Sequence, residues 1–271
     1  MKRDAIMVHV LLILGGVLTL FPLFWMVSAS FMSRGESTTF PPHFIPHAPT
    51  LAQYRELFFR LKIGRAFFSS TVIAVVTTLV SLLFNSMAGY AFAKLRFAGR
   101  ERMFGLLLSA LIIPAQVGML PLFLMMKTLH LVNTYWGVII PSLASVFGIF
   151  LIRQFMLSIP QELLEAARID GAGELRIYWS VVMPLARPIL ATLAIFTFMT
   201  TWNDFMWPLI ILSSDARYTL PVAIASLSGE HAVDVELMMA GSVVTVLPVL
   251  LLFLFLQRYY IAGLMVGSVK G

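Results

Sequence analysis

Along this chain, long stretches without a single Asp, Glu, Lys or Arg alternate with short charged segments. They cover residues 5–33, 66–93, 103–126, 128–152, 188–203 and 237–257, and the fifth continues past Asp204 to 214. A bilayer's hydrocarbon core, about 30 Å thick, takes about 20 helical residues to cross. The pattern therefore predicts an all-α membrane protein with six transmembrane helices. The spans fall at roughly 8–31, 67–93, 103–126, 135–153, 186–212 and 237–258, in a single transmembrane domain, 1–271. The fourth starts near Tyr135, because Leu131-Val132-Asn133-Thr134 reads as a loop.

Six crossings put both termini on one side, and charge chooses which. With the N-terminus cytoplasmic, the inner segments carry twelve of the nineteen Lys and Arg, among them Lys2, Arg3, Lys94, Arg153, Arg258 and Lys270. The outer segments carry seven, and cytoplasmic loops are the ones enriched in such residues. Five of the seven lie in the first outer loop. There, apolar residues at 51, 54, 57, 58 and 61 have helical spacing. The segment fits an amphipathic helix on the outer membrane surface or an ordinary loop helix. The uncharged 5–33 run is too long for a secretory leader's apolar region, so it is expected to stay as the first span. Prolines at 22, 114, 121, 141, 188, 208 and 248 fall in or at the ends of the crossings. A helix broken in lipid must have its freed carbonyls satisfied by neighbouring helices or water.

Composition agrees with a bilayer as solvent. Mean hydropathy is +0.91. Charged residues make up 12% of the chain, against about a quarter in soluble domains. Cysteine is absent, which excludes disulfides and thiol chemistry. The net charge of +6 is read as topology-setting Lys and Arg, and no nucleic-acid partner is expected. His43 and His47 lie among four prolines, which forbid a regular helix, so no metal site is expected there. No nucleophile–base pair stands out. The chain lacks G-x-x-x-x-G-K-[ST], so by this route it binds no ATP, and energy must come from a partner or an ion gradient.

The most informative charged segment is the inner loop 158–184. Ser158 and Gln161 have the spacing of a capping box, and Pro160 suits a first turn. The predicted helix runs to Ile169 or Asp170, where Gly171 and Gly173 stop it. A second short helix over 174–182 leads to Pro184. Ala166, Ala167 and Ala172 leave a low-profile surface, edged by Glu165 and Asp170. By composition alone this is also how a plain helical hairpin between two crossings looks.

Spacing adds to that reading. Glu165-Ala166-Ala167, three residues, Gly171, nine residues, then Val181-Val182-Met183-Pro184 resembles the signature loop of permease subunits of ATP-binding-cassette importers. That signature reads E-A-A, three residues, G, nine residues, I-x-L-P. Val181 and Met183 are mild departures from it. Four further stretches look like the carbohydrate-uptake branch: 92–100 after the second crossing, Trp202-Asn203-Asp204-Phe205-Met206-Trp207-Pro208, Tyr218-Thr219-Leu220-Pro221, and the tail 267–271. The resemblance implies a bacterial inner-membrane subunit with both termini cytoplasmic. It implies a second homologous permease, two ATP-binding subunits that hold ATP and Mg, and an extracytoplasmic solute-binding protein. No cofactor is expected on this chain.

The expected ATPase-coupling set is Glu165, Ala166, Ala167, Asp170, Gly171, Ala172, Gly173 and Pro184. Helix 161–169 is expected to dock in a cleft of the ATPase, with the alanines allowing close approach and Glu165 pairing with a basic residue there. Trp202, Asn203 and Asp204 are the expected translocation-pathway residues. Asp204 is the clearest intramembrane acid, and such groups are costly unless they have work to do. Its tryptophan neighbours are read as interface residues. A structural hydrogen bond is the other reading of Asp204. The outer loop 213–236 holds Asp215, Glu230, Asp234 and Glu236, and is either a contact for the binding protein or a solvated loop. The alternative function is an ion-coupled secondary transporter, and a third is a membrane scaffold. No clear internal repeat supports the former.

Overall fold

The computed structural model describes residues 2–41, 43–230 and 234–266, with side chains apart from those at 2–5, 227–230 and 256–266. His231 and the tail 267–271 therefore lie outside the described residues, as do the side chains of Lys2, Arg3, Glu230 and Arg258. All regular structure among the described residues is helical. Among the described residues, four helices are long and apolar enough to cross a membrane, or up to six if each of two bent pairs is one span.

The chain divides into two compact units. The first contains residues 1–67 and 219–249. Helix α1 (Lys2–Ser30) leaves its apolar side chains exposed from Ile6 to Phe24, as a helix bathed in lipid does. The segment after it folds back: the Thr50 amide donates to the Phe31 carbonyl at 2.9 Å, and Ser28 Oγ donates to the Phe44 carbonyl at 2.6 Å. The expected 51–61 helix becomes α2 (Ala52–Arg55) followed by a π-helical turn (Glu56–Arg60). The extra residue in that turn moves the apolar face. Leu57 and Gln53 are buried, while Phe59 is 82% exposed. Helix α3 (Ile63–Lys94) starts in this unit and runs on into the second.

The second unit contains residues 68–218 and 250–271. Its third crossing is not one straight helix. Helix α4 (Arg100–Ser109) ends in a tight turn at Ile112, and α5 (Ala115–Thr128) sets off at 104° to it. Pro114 explains the break, because a residue before proline is pushed out of the helical region, and Ile113 is extended (ψ 119°). The fourth crossing is α6 (Tyr135–Ile139), a 3-10 turn containing Pro141, and α7 (Val146–Leu157). Ser145 caps α7 by accepting the Gly148 N–H at 2.9 Å.

The 158–184 segment forms α8 (Gln161–Ile169), α9 (Glu174–Ile177), a π-helical turn (Tyr178–Val182) and α10 (Met183–Leu185). The fifth crossing is α11 (Arg187–Trp202), bent by 79° from the rod before it, and then α12 (Met206–Ile211) after a break. Back in the first unit lie α13 (Leu220–Glu230) and the start of α14 (Val235–Val266). Within that unit, Arg34 pairs with Asp234, and Glu236 Oε1 accepts both the N–H and the hydroxyl of Ser37.

Apolar cores among the described residues hold the second unit together. One joins Ile73, Met126, Val138, Trp207 and Ile211. Another joins Tyr90, Ile152, Met156, Leu164, Ile177, Tyr178 and Leu193. The 158–184 segment is thus built into the packing of the crossings rather than hung from them.

Candidate functional site: an outward knuckle and a hydroxyl-lined cleft

Helix α8 has two unlike faces. Leu164 is fully buried, and Ala167 packs against the same core. Glu162, Glu165, Ala166 and Ile169 are exposed, at the spacing that shares one face of a helix. Ile169 is 86% exposed. A carboxylate pair, a small residue and a bare apolar side chain make a surface suited to being covered by another protein. Among the described residues no ion pair engages Glu165. It borders a cleft of about 550 Å³ that also has Lys94, Arg96, Phe97 and Glu174 in its lining.

The capping box expected at Ser158 does not form. Ser158 Oγ turns back to the Phe155 carbonyl at 2.7 Å, and Pro160 stands at the N-cap without a side-chain bond. The far end closes on Gly171, whose φ of +80° is the left-handed conformation that favours glycine. The Gly171 amide reaches the Arg168 carbonyl at 3.0 Å and the Ala172 amide reaches Ala167 at 2.9 Å, so two of the carbonyls at the helix end are used. Gly173 differs. With φ −73° and ψ 163° it opens α9 instead of ending α8. Ala166, Asp170, Gly171 and Gly173 are exposed, whereas Ala172 packs inward beside Ala167. Pro184 is exposed too, but it sits in α10 at the other end of the α9–α10 rod.

The second feature is a cleft of about 490 Å³ where the fifth crossing breaks. Ser142, Ser145, Thr197, Thr200, Thr201 and Asp204 are among its lining residues, with Ser81 fully buried in its wall. Phe147 and Phe196 face it with their rings edge to face, 5.8 Å apart. Asp204 is half-buried and accepts the Trp207 N–H at 3.4 Å. Trp202 is buried and stacks on Phe198, and Trp207 is buried and donates to the Gly137 carbonyl at 3.0 Å. Neither tryptophan is a surface anchor, because both are buried. Asn203 is exposed, and its amide turns back to the Met199 carbonyl at 2.8 Å. Of the three expected pathway residues, only Asp204 lines the cleft.

Residues 85–265 match the family model described as "Binding-protein-dependent transport system inner membrane component". This chain belongs to that family. The permease is 41% identical over 261 residues to the arabinooligosaccharides transport system permease protein AraQ of Halalkalibacterium halodurans, covering 94% of this chain and 92% of that one. It is 35% identical to the lactose transport system permease protein LacG of Rhizobium radiobacter, over 95% and 93% of the two chains. Its fold matches, with TM-score 0.83 and 27% identity, a solved bacterial ABC transporter involved in the import of the acidic polysaccharide alginate. That match covers 96% of the permease and 97% of the solved chain.

The permease is therefore an inner-membrane, multi-pass component of a carbohydrate-uptake ABC transporter, and ATP hydrolysis lies in partner subunits. The ion-coupled and scaffold alternatives fall with this assignment. Sequence reasoning missed Ile169 on the knuckle and the hydroxyl-bearing residues of the cleft. Ile169 was legible, since it follows Glu162 and Ala166 on one helical face. The hydroxyls were not, because Ser81, Ser142 and Thr197 come from separate crossings and no spacing along the chain connects them.

Proposed function

We propose that the permease moves a sugar or sugar-like solute into the cytoplasm by alternating access, through the cleft beside Asp204. The observation that carries this reading is the lining itself. Five accessible hydroxyl-bearing residues, one carboxylate and two aromatic rings offer what a polyhydroxylated ring needs: exchangeable hydrogen bonds and an apolar face. The names of the relatives point to the same solute class. Both termini lie in the cytoplasm, and α8 projects from the cytoplasmic face. A second homologous permease completes the pathway, a solute-binding protein delivers from outside, and two ATPase subunits drive the cycle. Each ATPase takes the exposed face of an α8 in a cleft. When ATP closes the ATPases, the docked helices move and the bundle switches as a rigid body.

The test uses the complete transporter in proteoliposomes with its binding protein and a panel of arabinose oligomers, lactose and glycerol phosphate. Uptake that needs ATP and falls in both Asp204→Asn and Phe196→Ala, with assembly intact, supports the pathway. Wild-type uptake in both variants removes the cleft from it.

A further inference from the structure

Resting on the coupling reading above, we propose that α3 is the rod that carries displacement of α8 to the cleft, with Glu174 the positioning residue that locks the two together. Ser86, Tyr90 and Lys94 recur every four residues along α3, so they line one side of it. Each holds a different point of the 158–184 segment. Lys94 Nζ donates to the Ile159 carbonyl at 2.6 Å, just before α8 begins. The Tyr90 hydroxyl donates to Glu174 Oε2 at 2.7 Å, just after α8 ends. Ser86 Oγ and the Tyr178 hydroxyl share a hydrogen bond of 2.7 Å. Glu174 is the junction, because its other oxygen accepts Arg168 Nε from α8 at 2.9 Å. Helix α8 is thus strapped to α3 at both ends. Apolar helix faces can slide on one another, whereas directional bonds at three points fix the register.

The same helix reaches the cleft. Ser81 lines it, and Asn85 donates to Ser81 Oγ at 2.6 Å while its carbonyl oxygen accepts the Ser145 N–H at 3.0 Å. Ser81 and Lys94 are thirteen residues apart on one unbroken helix, about 20 Å at 1.5 Å per residue. Gly89 gives the rod a tight seat, since a Cβ there would lie 2.6 Å from Ile152 Cγ2. Pushing α8 therefore shifts Ser81 and Asn85 at the cleft wall.

The experiment compares Glu174→Ala, Glu174→Gln and Tyr90→Phe in the assembled transporter, reading solute moved per ATP hydrolysed. The chain has no cysteine, so Glu162→Cys provides a single crosslinking reporter of docking to the ATPase. The rod predicts unchanged crosslinking, continued ATP hydrolysis, and a fall of about tenfold in solute per ATP for Glu174→Ala and Tyr90→Phe. Glu174→Gln, which still offers Tyr90 an acceptor, recovers part of the loss. Combining Tyr90→Phe with Glu174→Ala costs no more than either alone, because both cut one link. Should Glu174→Ala fail to assemble, Tyr90→Phe, which removes one hydroxyl, decides the matter. Wild-type stoichiometry in Tyr90→Phe with docking intact overturns the rod and leaves docking standing. Absence of crosslinking in the otherwise unmodified transporter overturns the docking reading on which it rests.

Discussion

Gly171 and Gly173 stand two residues apart, both exposed, and alanine should affect them differently. A Cβ at either meets no heavy atom within 4 Å, so packing contributes nothing at either site. The backbone decides. At Gly171, with φ +80°, an L-residue enters the left-handed region, which costs roughly 1–2 kcal/mol. At Gly173, φ is −73°, and alanine is allowed. It gains about 0.4–1 kcal/mol by restricting the unfolded chain and loses a similar amount as a poorer N-cap. The net change there is close to zero. The loss at Gly171 falls on the turn that ends α8, where the Ala172 amide reaches the Ala167 carbonyl at 2.9 Å. Opening of that turn should become about 5- to 30-fold more frequent.

Hydrogen exchange of peptides covering 158–184, in nanodiscs, reads this directly. Gly171→Ala should speed exchange at 170–172 by that factor. Gly171→Asn should do less, since asparagine tolerates the left-handed region, and Gly171→Val more. Gly173→Ala should leave the rates within about twofold. Equal effects of alanine at the two positions would refute the reasoning.

Three other outcomes follow from the same geometry. Gly89→Ala should lower the melting temperature in detergent by the equivalent of about 1–3 kcal/mol of overpacking, because its Cβ would meet Ile152 at 2.6 and 2.8 Å; Gly64→Ala, in open space on the same helix, should not lower it. Asn133 sits at φ 57° and its side-chain oxygen accepts the N–H groups of Ser213 and Ser214, each at 3.2 Å. Asn133→Ala should therefore speed exchange at 213–217 by the equivalent of about 1–3 kcal/mol, and unchanged exchange would show that this tie is idle. The N–H groups of His47 and Ser33 hold Glu36 below the usual carboxylate range. Its contribution to closing the 33–47 loop is then full above the ordinary carboxylate pKa and is lost as pH falls through the lowered one. Proteolysis of that loop should speed up only on the acid side, and Glu36→Gln should abolish the dependence.

The elements most legible in the sequence are those fixed by local chemistry. An uncharged run of membrane length can be little else but a spanning helix, and Gly171 is the residue that a helix end in the left-handed region calls for. Breaks within the spans were harder to place. Seven prolines marked possible kinks, yet their outcomes differ: the extended Ile113 before Pro114 turns the chain through 104° and a 79° bend precedes Arg187-Pro188, while Pro22, Pro121 and Pro248 stay inside continuous helices. What distinguishes them is which neighbours satisfy the freed backbone groups, and that is a tertiary property. Ala167 and Ala172 show the same limit. Their small size reads equally well as an outward docking surface or as close inward packing, and the structure packs both against the core that contains Leu164. Asp204 was visible as a rare acid, but its hydroxyl-bearing neighbours converge from α3, α11 and the 140–145 turn and share no sequence pattern.

The central claim is that the exposed face of α8 receives force from an ATPase subunit. Single cysteines placed along 158–184 in the assembled transporter, each tested for crosslinking to that subunit, measure it. Positions 162, 165, 166 and 169 should crosslink, and their yield should change when ATP binds, while buried 164 and 177 stay silent. Crosslinks elsewhere in the chain, with all four exposed positions silent, would contradict the account.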